Sequence, residues 1–365
     1  MWYDTRATKL LGIDYPIMQG PFGGSLSSVE LVATVSNAGG LGGYGAYTLS
    51  PQEIFEVNNK IKAATNKPYN MNLWVSDADA QDGIVTDEQY EAAKKIFKPW
   101  FDEACISLPG KPAAFKSRFE NQLQVILDIR PKVFSFMFGI PSADILEQCR
   151  KRNIITIGAA TTLDEAVALE NAGVDMIIAS GFEAGGHRPS FLAPAEQSTT
   201  GSFVLLQLIK GKVKTPIIAA GGIANGRGIA ASFMLGADAA QIGTAFLACD
   251  ESGAPPEHKQ MLFSDAAKYT SLSRAFTGRL GRGISTKMAK DLIGKEKQFL
   301  PFPLQTTFMS SLRKAALDQQ KWDMILFWSG QIAPILKHRK ASPLMQSLIE
   351  ETTEMMRKEI LDEDF

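Results

Sequence analysis

The chain has few of the features that mark extracellular, zinc-binding or membrane proteins. Only three cysteines occur among its 365 residues, at Cys105, Cys149 and Cys249, and they form no C-x-x-C pair. A disulfide framework and a structural zinc site are therefore not indicated, and a reducing compartment is expected. The N-terminus carries charges where a signal peptide needs an apolar core, and no apolar run approaches membrane-spanning length. These absences predict a cytoplasmic protein without a membrane partner.

The sequence also lacks an excess of charge of either sign. It has 38 Lys and Arg against 39 Asp and Glu, a formal net charge of -1. No basic field is therefore available to hold nucleic acid or an anionic membrane, and we predict a small-molecule partner. The spacing of His, Asp and Glu indicates no metal site, and no Ser or Cys occupies a nucleophile elbow. The oligomeric state stays open.

Short apolar runs alternate with helical patterns over the first 250 residues. Eight runs are apolar on both faces, which is typical of buried parallel strands. They lie at residues 15–20, 39–46, 68–75, 132–139, 154–158, 175–179, 216–222 and 239–245. Helices are predicted between them at residues 27–37, from 51 onward, and at 142–151, 162–172, 203–210 and 226–235. Eight such units predict a (β/α)8 barrel, with an open doubly wound sheet as the alternative.

Two segments do not fit this repeat. Residues 76–130 are too long for one connection; an acidic start at Asp77, Asp79 and Asp82 is followed by helical patterns at 87–101 and 113–128. After residue 250 the chain is predicted to be helical at 257–267, 305–319 and 344–361. We therefore predict a barrel over residues 1–250, with an excursion placed where it could cover the site, and a helical cap and closing helix over 251–365.

One stretch combines a buried strand with the residue types of a reactive site. Residues 179–188 read Ala-Ser-Gly-Phe-Glu-Ala-Gly-Gly-His-Arg. The glycines remove side chains that would crowd a ligand, and His187 is one of only three histidines in the chain. We predict that the chemistry lies in this loop. The alternative is an ordinary glycine turn that ends in a hydrogen-bonded polar residue.

Two glycine turns at the ends of the last two predicted strands form a second pattern. Gly221-Gly222 ends the seventh strand, and Gly243-Thr244 ends the eighth. Backbone N–H groups in such turns can cradle an anion, and barrels often hold a phosphate at this position. Phosphate binding is therefore predicted in preference to plain turns.

Asn72, near the end of the third strand, could bind a flat heterocycle through its amide or could be a satisfied strand-end residue.

Three segments together resemble the nitronate monooxygenases, formerly called 2-nitropropane dioxygenases. They are residues 181–188, residues 217–224 (Ile-Ile-Ala-Ala-Gly-Gly-Ile-Ala) and residues 241–244 (Gln-Ile-Gly-Thr). The resemblance covers residues 16–246 well and is weaker beyond them. It implies an FMN-dependent TIM barrel, a flavoprotein oxidoreductase that oxidises alkyl nitronates and nitroalkanes with O2.

The resemblance also implies roles for individual residues. His187 would be the catalytic base, since an imidazole can take the proton α to a nitro group or, as imidazolium, hold an anionic nitronate. The FMN phosphate and ribityl chain would be held by Gly221, Gly222, Gln241, Gly243 and Thr244. The isoalloxazine ring would contact Met18, Gly20 and Asn72, with Ser180 and Gly185 placed along the cofactor.

The sequence departs from the family pattern at several positions. Pro189 follows Arg188 where the family usually has glycine, and Ser180 stands where glutamine is common. Phe302 and Thr306 lie in a segment where many members carry tyrosines. These differences bear on the substrate more than on the cofactor.

Two other functions stay open on the sequence alone. The first is a reductase of the same fold that passes hydride from NADH or NADPH to an enoyl thioester or a quinone. The second, from a different class, is a barrel that binds a phosphate-bearing ligand without redox chemistry. A purine-nucleotide dehydrogenase is disfavoured, because no cysteine lies in a Gly/Ser-rich loop after a strand.

Two remaining groups of residues are interpreted as surface features. His258 and His338 lie in charged helical patterns and are predicted to be exposed. A basic cluster could cover the site but is predicted to be a solvated loop; it comprises Arg274, Arg279, Arg282 and Lys287.

Overall fold

The fold is built on a closed ring of parallel strands with helices around it. A computed structural model describes residues 1–75 and 83–361, so the predicted acidic loop at Asp77, Asp79 and Asp82 lies outside the described residues. In the described part the strands are β1 Ile17–Gln19, β2 Gly42–Gly45, β3 Tyr69–Trp74, β4 Val133–Met137, β5 Ile155–Ala160, β6 Met176–Ser180, β7 Gly186–His187, β8 Ile217–Ala220, β9 Ala239–Ile242, β10 Thr270–Ser273 and β11 Gly281–Ile284.

Eight of these strands form the predicted barrel. They pair in parallel in the order β1-β9-β8-β6-β5-β4-β3-β2. The ring closes between β1 and β2 at Leu41, whose N–H donates to the Ile17 carbonyl and whose carbonyl accepts from the Gln19 N–H, each at 2.9 Å. The predicted (β/α)8 barrel is therefore confirmed, and the doubly wound alternative was wrong.

Helices connect the strands and extend beyond them. They are α1 Arg6–Leu11, α2 Val29–Asn37, α3 Pro51–Ala64, α4 Asp87–Glu103, α5 Phe119–Ile129, α6 Ala143–Lys151, α7 Leu163–Ala172, α8 Ser202–Lys210, α9 Gly226–Met234, α10 Thr244–Leu247, α11 Pro256–Leu262, α12 Lys287–Asp291, α13 Leu304–Asp318 and α14 Ala341–Leu361. Short 3-10 helices lie at Ala195–Gln197, Asp265–Lys268, Glu296–Gln298, Trp322–Met324 and Ala333–Ile335. Within residues 1–75 and 83–361, no helix combines the length and apolarity needed to cross a bilayer.

Local sequence signals fix where several of these helices begin and end. The Ser50 hydroxyl accepts from the Glu53 N–H at 3.3 Å, and the Glu53 carboxylate accepts from the Ser50 N–H at 2.7 Å. This capping box satisfies two amide groups that the first turn of α3 leaves without helical partners. Gly173 ends α7 with a φ of +80°, a left-handed conformation that glycine adopts without a Cβ clash. Both boundaries agree with the sequence prediction.

The alternation of each barrel strand sorts its side chains into two apolar clusters. Met176 and Ile178 point into the barrel, whereas Ile177 and Ala179 pack outward against the helices. Leu11, at the end of α1, is fully buried in the interior cluster beside the first residues of several strands. The amino end of the barrel is therefore plugged by α1, and its interior is a packed core.

A further apolar cluster joins the excursion after β3 to the chain beyond residue 250. Phe97 and Phe101 of α4 pack on Phe308 of α13, with ring centroids 5.7 and 5.6 Å apart. All three side chains are buried in this second core. The last helix, α14, packs instead on the outer wall of the barrel, where Leu344 and Leu348 join the cluster between strands and helices.

The structure corrects three predictions about single elements. The region after residue 250 contains β10 and β11, which form an antiparallel sheet with β7; these runs are too short for a strand period to be visible in the sequence. Helix α5 begins at Phe119 and not at residue 113. Strand β9 ends at Ile242, so Thr244 begins the short helix α10 and does not end a strand.

Replacing Phe308 with alanine should weaken the second core. Phe308 is 0% exposed and contacts aromatic rings of α4, so Phe308→Ala should lower the free energy of unfolding by about 3–5 kcal/mol. Urea titration measures this, and hydrogen exchange in α4 should become faster. The control is Phe203→Ala, at a phenylalanine that is 66% exposed, with an expected change within about 0.5 kcal/mol. Equal effects of the two changes would contradict the packing of α4 on α13.

Candidate functional site

Four of the predicted cofactor-binding side chains point into the carboxyl end of the barrel. They are Met18 of β1, Asn72 of β3, Ser180 of β6 and Gln241 of β9. A strand neighbour of each packs outward against the helices, so alternation turns these four side chains inward; the neighbours are Ile17, Met71, Ala179 and Ile242. Met18 lies directly opposite Gln241 in the pairing of β1 with β9. The carboxyl ends of parallel strands meet at one mouth, which is where barrels of this class carry their sites.

Two of these side chains hold buried acceptor atoms without a protein partner. The Asn72 amide nitrogen donates to the Ser135 carbonyl at 3.1 Å and to the Ser135 hydroxyl at 2.9 Å. Its oxygen Oδ1 and the Gln241 oxygen Oε1 are buried and have no hydrogen-bond partner among the described residues. Because a buried polar atom without a partner costs about 1–3 kcal/mol, these two oxygens indicate a ligand that brings donors to them.

The predicted glycine turns border the same mouth. Gly221 and Gly222, directly after β8, have φ angles of +104° and +73°, a region that residues with a Cβ rarely adopt. A Cβ placed on Gly243 would have no neighbouring atom within 4 Å, whereas one on Gly20 would contact the Gly243 Cα at 3.4 Å. Backbone is thus exposed to open space at Gly243, after β9, whereas a Cβ on Gly221, after β8, would lie 3.1 Å from the Ala184 nitrogen. Both turns suit a phosphate held by N–H groups.

Residues 328–331 run across this part of the mouth. The Gly330 N–H donates to the Thr244 hydroxyl at 2.9 Å. A Cβ on Gly185 would lie 2.5 Å from the Gly330 nitrogen, so glycine is needed for this close approach. Thr244 and Gly185, predicted as cofactor contacts, therefore lie side by side, although they are 59 positions apart by their numbers in the sequence.

His187 lies on β7, outside the barrel strands. It pairs with Gly281 of β11, and its Nε2 lies 2.8 Å from the Thr277 hydroxyl oxygen. Four aromatic rings surround the imidazole, with centroid separations of 4.7 Å to Trp328, 5.3 Å to Trp74, 5.9 Å to Phe302 and 6.4 Å to Phe138. We call these four residues the aromatic wall. Trp74 points into the barrel by the alternation of β3, so the histidine lies at the mouth.

The surroundings of His187 favour its neutral form. Burial, and then the positive charges of Arg279 and Arg274, lower the pKa of the imidazole to about 3. Part of the ring surface remains accessible, but protein atoms enclose it closely enough for desolvation to be the main cause. Near pH 7 the ring is therefore an uncharged imidazole that can accept a proton, and the imidazolium alternative is disfavoured in the ligand-free protein.

The prediction that the basic cluster is a solvated loop holds for Lys287, which is exposed, but was wrong for Arg282. Arg282 is buried and donates through Nε and Nη2 to the Phe182 carbonyl at 3.1 and 2.9 Å. The Arg279 guanidinium carbon lies 3.9 Å from the ring centroid of Phe138 and 4.7 Å from that of Phe302. Stacking on aromatic faces stabilises a partly desolvated cation. Arg279 thus shares two rings of the aromatic wall with His187.

Arg188, next to the histidine, organises the loop in which it lies. Its side chain is buried, and it donates to the Gly181 carbonyl at 2.6 Å and to the Ser198 carbonyl at 2.9 Å. The guanidinium thereby satisfies one carbonyl just beyond the end of β6 and one after β7, and connects the two sides of the loop that carries His187. The sequence motif contained Arg188 but gave it no role.

His258 was wrongly predicted to be a surface residue. Only 3% of it is exposed, and its Nε2 lies 2.9 Å from the Trp328 carbonyl, to which it must donate. Burial lowers the pKa of this histidine to about 4, although the hydrogen bond acts in the opposite direction. The charged residues next to His258 in α11 suggested an exposed helix, so the sequence did not indicate that one face of it is buried. His338 is only partly exposed.

Several residues of the mouth could not be found from the sequence. Thr277 and Trp328 lie 90 and 141 positions beyond His187 by their numbers, and no local pattern connects them to it. Trp74, the last residue of β3, lies within the strand predicted at residues 68–75, where alternation alone could have indicated its direction. Taken together, the fold, the glycine turns and the enclosed histidine define a (β/α)8-barrel enzyme with its site at the carboxyl ends of the strands.

Comparison with known proteins identifies the family. A family model described as nitronate monooxygenase matches residues 4–351. The probable nitronate monooxygenase of Staphylococcus haemolyticus is 36% identical over 358 residues, 98% of this chain and 99% of that protein. The one from Staphylococcus saprophyticus is 35% identical over 360 residues, 98% of this chain and 100% of that protein. The chain belongs to the nitronate monooxygenase family and is an oxidoreductase.

Solved structures are similar over almost the whole chain. Nitroalkane oxidase from Streptomyces ansochromogenes has a TM-score of 0.86 and 32% identity, with 96% of this chain and 99% of that chain covered. FabK from Thermotoga maritima has a TM-score of 0.74 and 27% identity, with 97% of each chain covered. The recognition of the family and of the barrel from the sequence is thus confirmed.

The burial of His258 should make stability depend on pH. The pKa of this histidine is lowered on folding, so the unfolded chain binds the additional proton, and stability should fall as pH drops from about 6.5 towards 4. The contribution is at most about 1.4 kcal/mol per pH unit. His258→Gln keeps an amide donor for the Trp328 carbonyl but does not titrate, so its stability should depend less on pH.

Urea unfolding between about pH 4.5 and 7 measures this dependence. His338→Gln, at a partly exposed histidine, is the matched control and should follow the wild type. Identical pH dependence in all three proteins would show that His258 is not held neutral by burial.

Proposed function

We propose that the protein oxidises alkyl nitronates with O2, and nitroalkanes after His187 has removed a proton, with FMN as its cofactor. The observation that carries this proposal is the meeting, at one barrel mouth, of an enclosed neutral histidine with buried acceptors and two glycine turns, of which the one at Gly243 borders open space. Membership of the nitronate monooxygenase family and the likeness to a nitroalkane oxidase support the substrate class.

The residues at the mouth fit FMN. Asn72 Oδ1 and Gln241 Oε1 are acceptors, and an isoalloxazine N–H and the ribityl hydroxyls are the donors that such oxygens need. Gly221, Gly222 and Gly243 would hold the phosphate through backbone N–H groups, with Thr244 beside them. Met18, Gly20, Ser180 and Gly185 would line the rest of the cofactor. When bound, the flavin would supply the electron transfer and oxygen chemistry that side chains cannot.

His187 would act on the carbon next to the nitro group. A neutral imidazole can take the proton from this carbon, which leaves an anionic nitronate beside the imidazolium so formed. The aromatic wall encloses much of the histidine, and the opposite charges of the pair would attract each other more strongly there than they would in water. Arg279, stacked on the same wall, adds positive charge near the anion.

Phe302 makes one side of this wall purely apolar. It lies where many family members carry tyrosines, and its ring is 5.9 Å from the His187 ring and 5.6 Å from the Trp74 ring. No hydroxyl is present at this position to bind a polar substrate group. We infer that the alkyl part of the substrate contacts this side.

Filling the space at Gly243 should weaken FMN binding without unfolding the protein. The φ of Gly243 is -96°, which any residue can adopt, and a Cβ there meets no protein atom within 4 Å. Gly243→Ala should therefore keep the thermal stability of the apoprotein but raise the Kd for FMN about tenfold or more, a loss of about 1.4 kcal/mol. Titration of apoprotein into FMN, followed by flavin fluorescence, measures the Kd.

Gly110→Ala is the matched control, since a Cβ at Gly110 also has nothing within 4 Å. Unchanged FMN affinity in Gly243→Ala would rule out a phosphate cradle at the end of β9. Failure of the wild-type protein to bind FMN at all would favour the phosphate-binding barrel without redox chemistry.

Removing the proposed base should affect neutral and anionic substrates differently. In His187→Asn, kcat/KM for nitroethane should fall about 10²–10⁴-fold, the range expected for loss of a general base. Oxidation of preformed ethylnitronate should change much less, because its proton is already gone. Oxygen consumption measures both rates, and His338→Asn is the control. Equal rates of nitroethane oxidation in wild type and His187→Asn would refute the role of His187 as base.

Anaerobic mixing separates this function from that of a reductase. Ethylnitronate alone should change the visible absorbance of the bound flavin, and NADH or NADPH alone should not. Rapid bleaching by a nicotinamide, with no response to the nitronate, would keep the barrel and the cofactor site but assign the protein as a reductase.

A further inference from the structure

The position of His187 depends on a turn from another part of the chain. Residues 274–280 connect β10 to β11, and within them the Thr277 hydroxyl oxygen lies 2.8 Å from His187 Nε2. The same hydroxyl oxygen lies 3.1 Å from the Arg279 carbonyl and 3.3 Å from the Arg279 nitrogen. One threonine therefore connects the proposed base to the residue that places a cation on the aromatic wall.

The Thr277 hydroxyl has one proton and two acceptors within reach. If it donates to His187 Nε2, the Arg279 carbonyl loses this donor and Nε2 has no free lone pair. If it donates to the Arg279 carbonyl, its oxygen can accept from a proton on Nε2, and both contacts are satisfied. The second arrangement leaves the lone pair of the neutral imidazole on Nδ1.

The orientation of the ring determines where Nδ1 lies. A Cβ placed on Gly281 would be 3.1 Å from His187 Cδ2, so the Cδ2–Nε2 edge of the ring faces residues 277–281. Nδ1 lies across the ring from this edge. No hydrogen bond to Nδ1 occurs within the part of the chain that the structure describes.

The turn that carries Thr277 is held firmly. Gly278 has a φ of +87°, and a Cβ on it would lie 2.5 Å from the Phe302 nitrogen and 2.6 Å from the Leu300 carbonyl oxygen. The turn thus packs backbone to backbone against residues 300–302. Such contact fixes Thr277 relative to the aromatic wall, since Phe302 belongs to both.

We propose that Thr277 is a positioning residue that keeps the proton of His187 on Nε2 and thereby makes Nδ1 the nitrogen that removes the substrate proton. Nδ1 gains the proton from carbon, the C–H electron pair moves into the C=N bond of the nitronate, and the ring becomes an imidazolium. The inference rests on the proposed function of His187. A low pKa supports it, because a neutral ring has a single proton to place.

Nitrogen-15 NMR of histidine-labelled holoenzyme reads the tautomer directly. The chain has only three histidines, so the spectrum of His187→Asn identifies the His187 signals by their loss. We expect a protonated Nε2 and an unprotonated Nδ1 near neutral pH. An unprotonated Nε2 with a protonated Nδ1 would overturn the proposal whatever the kinetics show.

Two variants of Thr277 test its role in the reaction. Thr277→Val keeps the shape of the side chain without the hydroxyl, and should lower kcat/KM for nitroethane about 10- to 100-fold, part of what a general base contributes. Thr277→Ser restores the hydroxyl and should stay within about threefold of wild type. Both should oxidise ethylnitronate at nearly the wild-type rate and bind FMN normally.

The outcomes separate this inference from the proposed function. Wild-type activity of Thr277→Val on nitroethane, together with a loss in His187→Asn, would overturn the positioning role and leave His187 as the base. An equal loss on nitroethane and nitronate in Thr277→Val, not rescued by serine, would also overturn it. Wild-type activity of His187→Asn on nitroethane would instead refute the proposed base itself.

Discussion

The position of the site depends on the period-two alternation of parallel strands in a closed ring. In such a ring each second side chain faces the interior, and all carboxyl ends open at one mouth. Near the amino ends most interior positions are apolar, as at Ile157 and Met176, with Asn70 of β3 as a polar exception, and α1 plugs that end. Towards the carboxyl ends the interior positions become Asn72, Ser180 and Gln241. The change from apolar to polar along the same face separates the core from the site.

The proposed base is not held by the barrel itself. His187 belongs to a small antiparallel sheet with β10 and β11, and these strands lie beside the second core in which α4 packs on α13. Because this core includes both the excursion after β3 and the chain beyond residue 262, it ties two distant segments together over the mouth. The stability of this second core therefore contributes to how firmly the histidine is held.

The enclosure of His187 and Arg279 at the mouth affects the two side chains differently. Taking a charged imidazole out of water is unfavourable, and the neutral form avoids this cost. The guanidinium of Arg279 cannot lose its proton in this way, but its stacking on Phe138 and Phe302 contributes roughly 0.5–2 kcal/mol. A neutral proton acceptor thus lies near a permanent cation, a combination suited to forming and keeping an anion.

The resemblance to the family implied the full set of residues proposed to hold the cofactor. The sequence by itself determined the barrel, most of the helices and the two glycine turns. These features follow from short-range patterns: apolar runs, the Ser50 capping box, glycine helix stops and glycine pairs after strands. The family was also recognised from three short segments. Gln241 was named only through the resemblance, and Asn72 through the resemblance and its place near the end of a strand; alternation along β9 and β3 gives both side chains their direction in the structure.

Tertiary structure alone decided which distant residues surround the histidine. Thr277, Trp328 and Phe302 come from segments with no regular period, so no local signal connects them to β7. The burial of His258 and Arg282 was missed because charged neighbouring residues suggest a surface. Only the packing against another segment shows which side of such a segment is buried. The sequence therefore determined which residues could bind and react, and long-range packing determined the protonation and surroundings of the one expected to react.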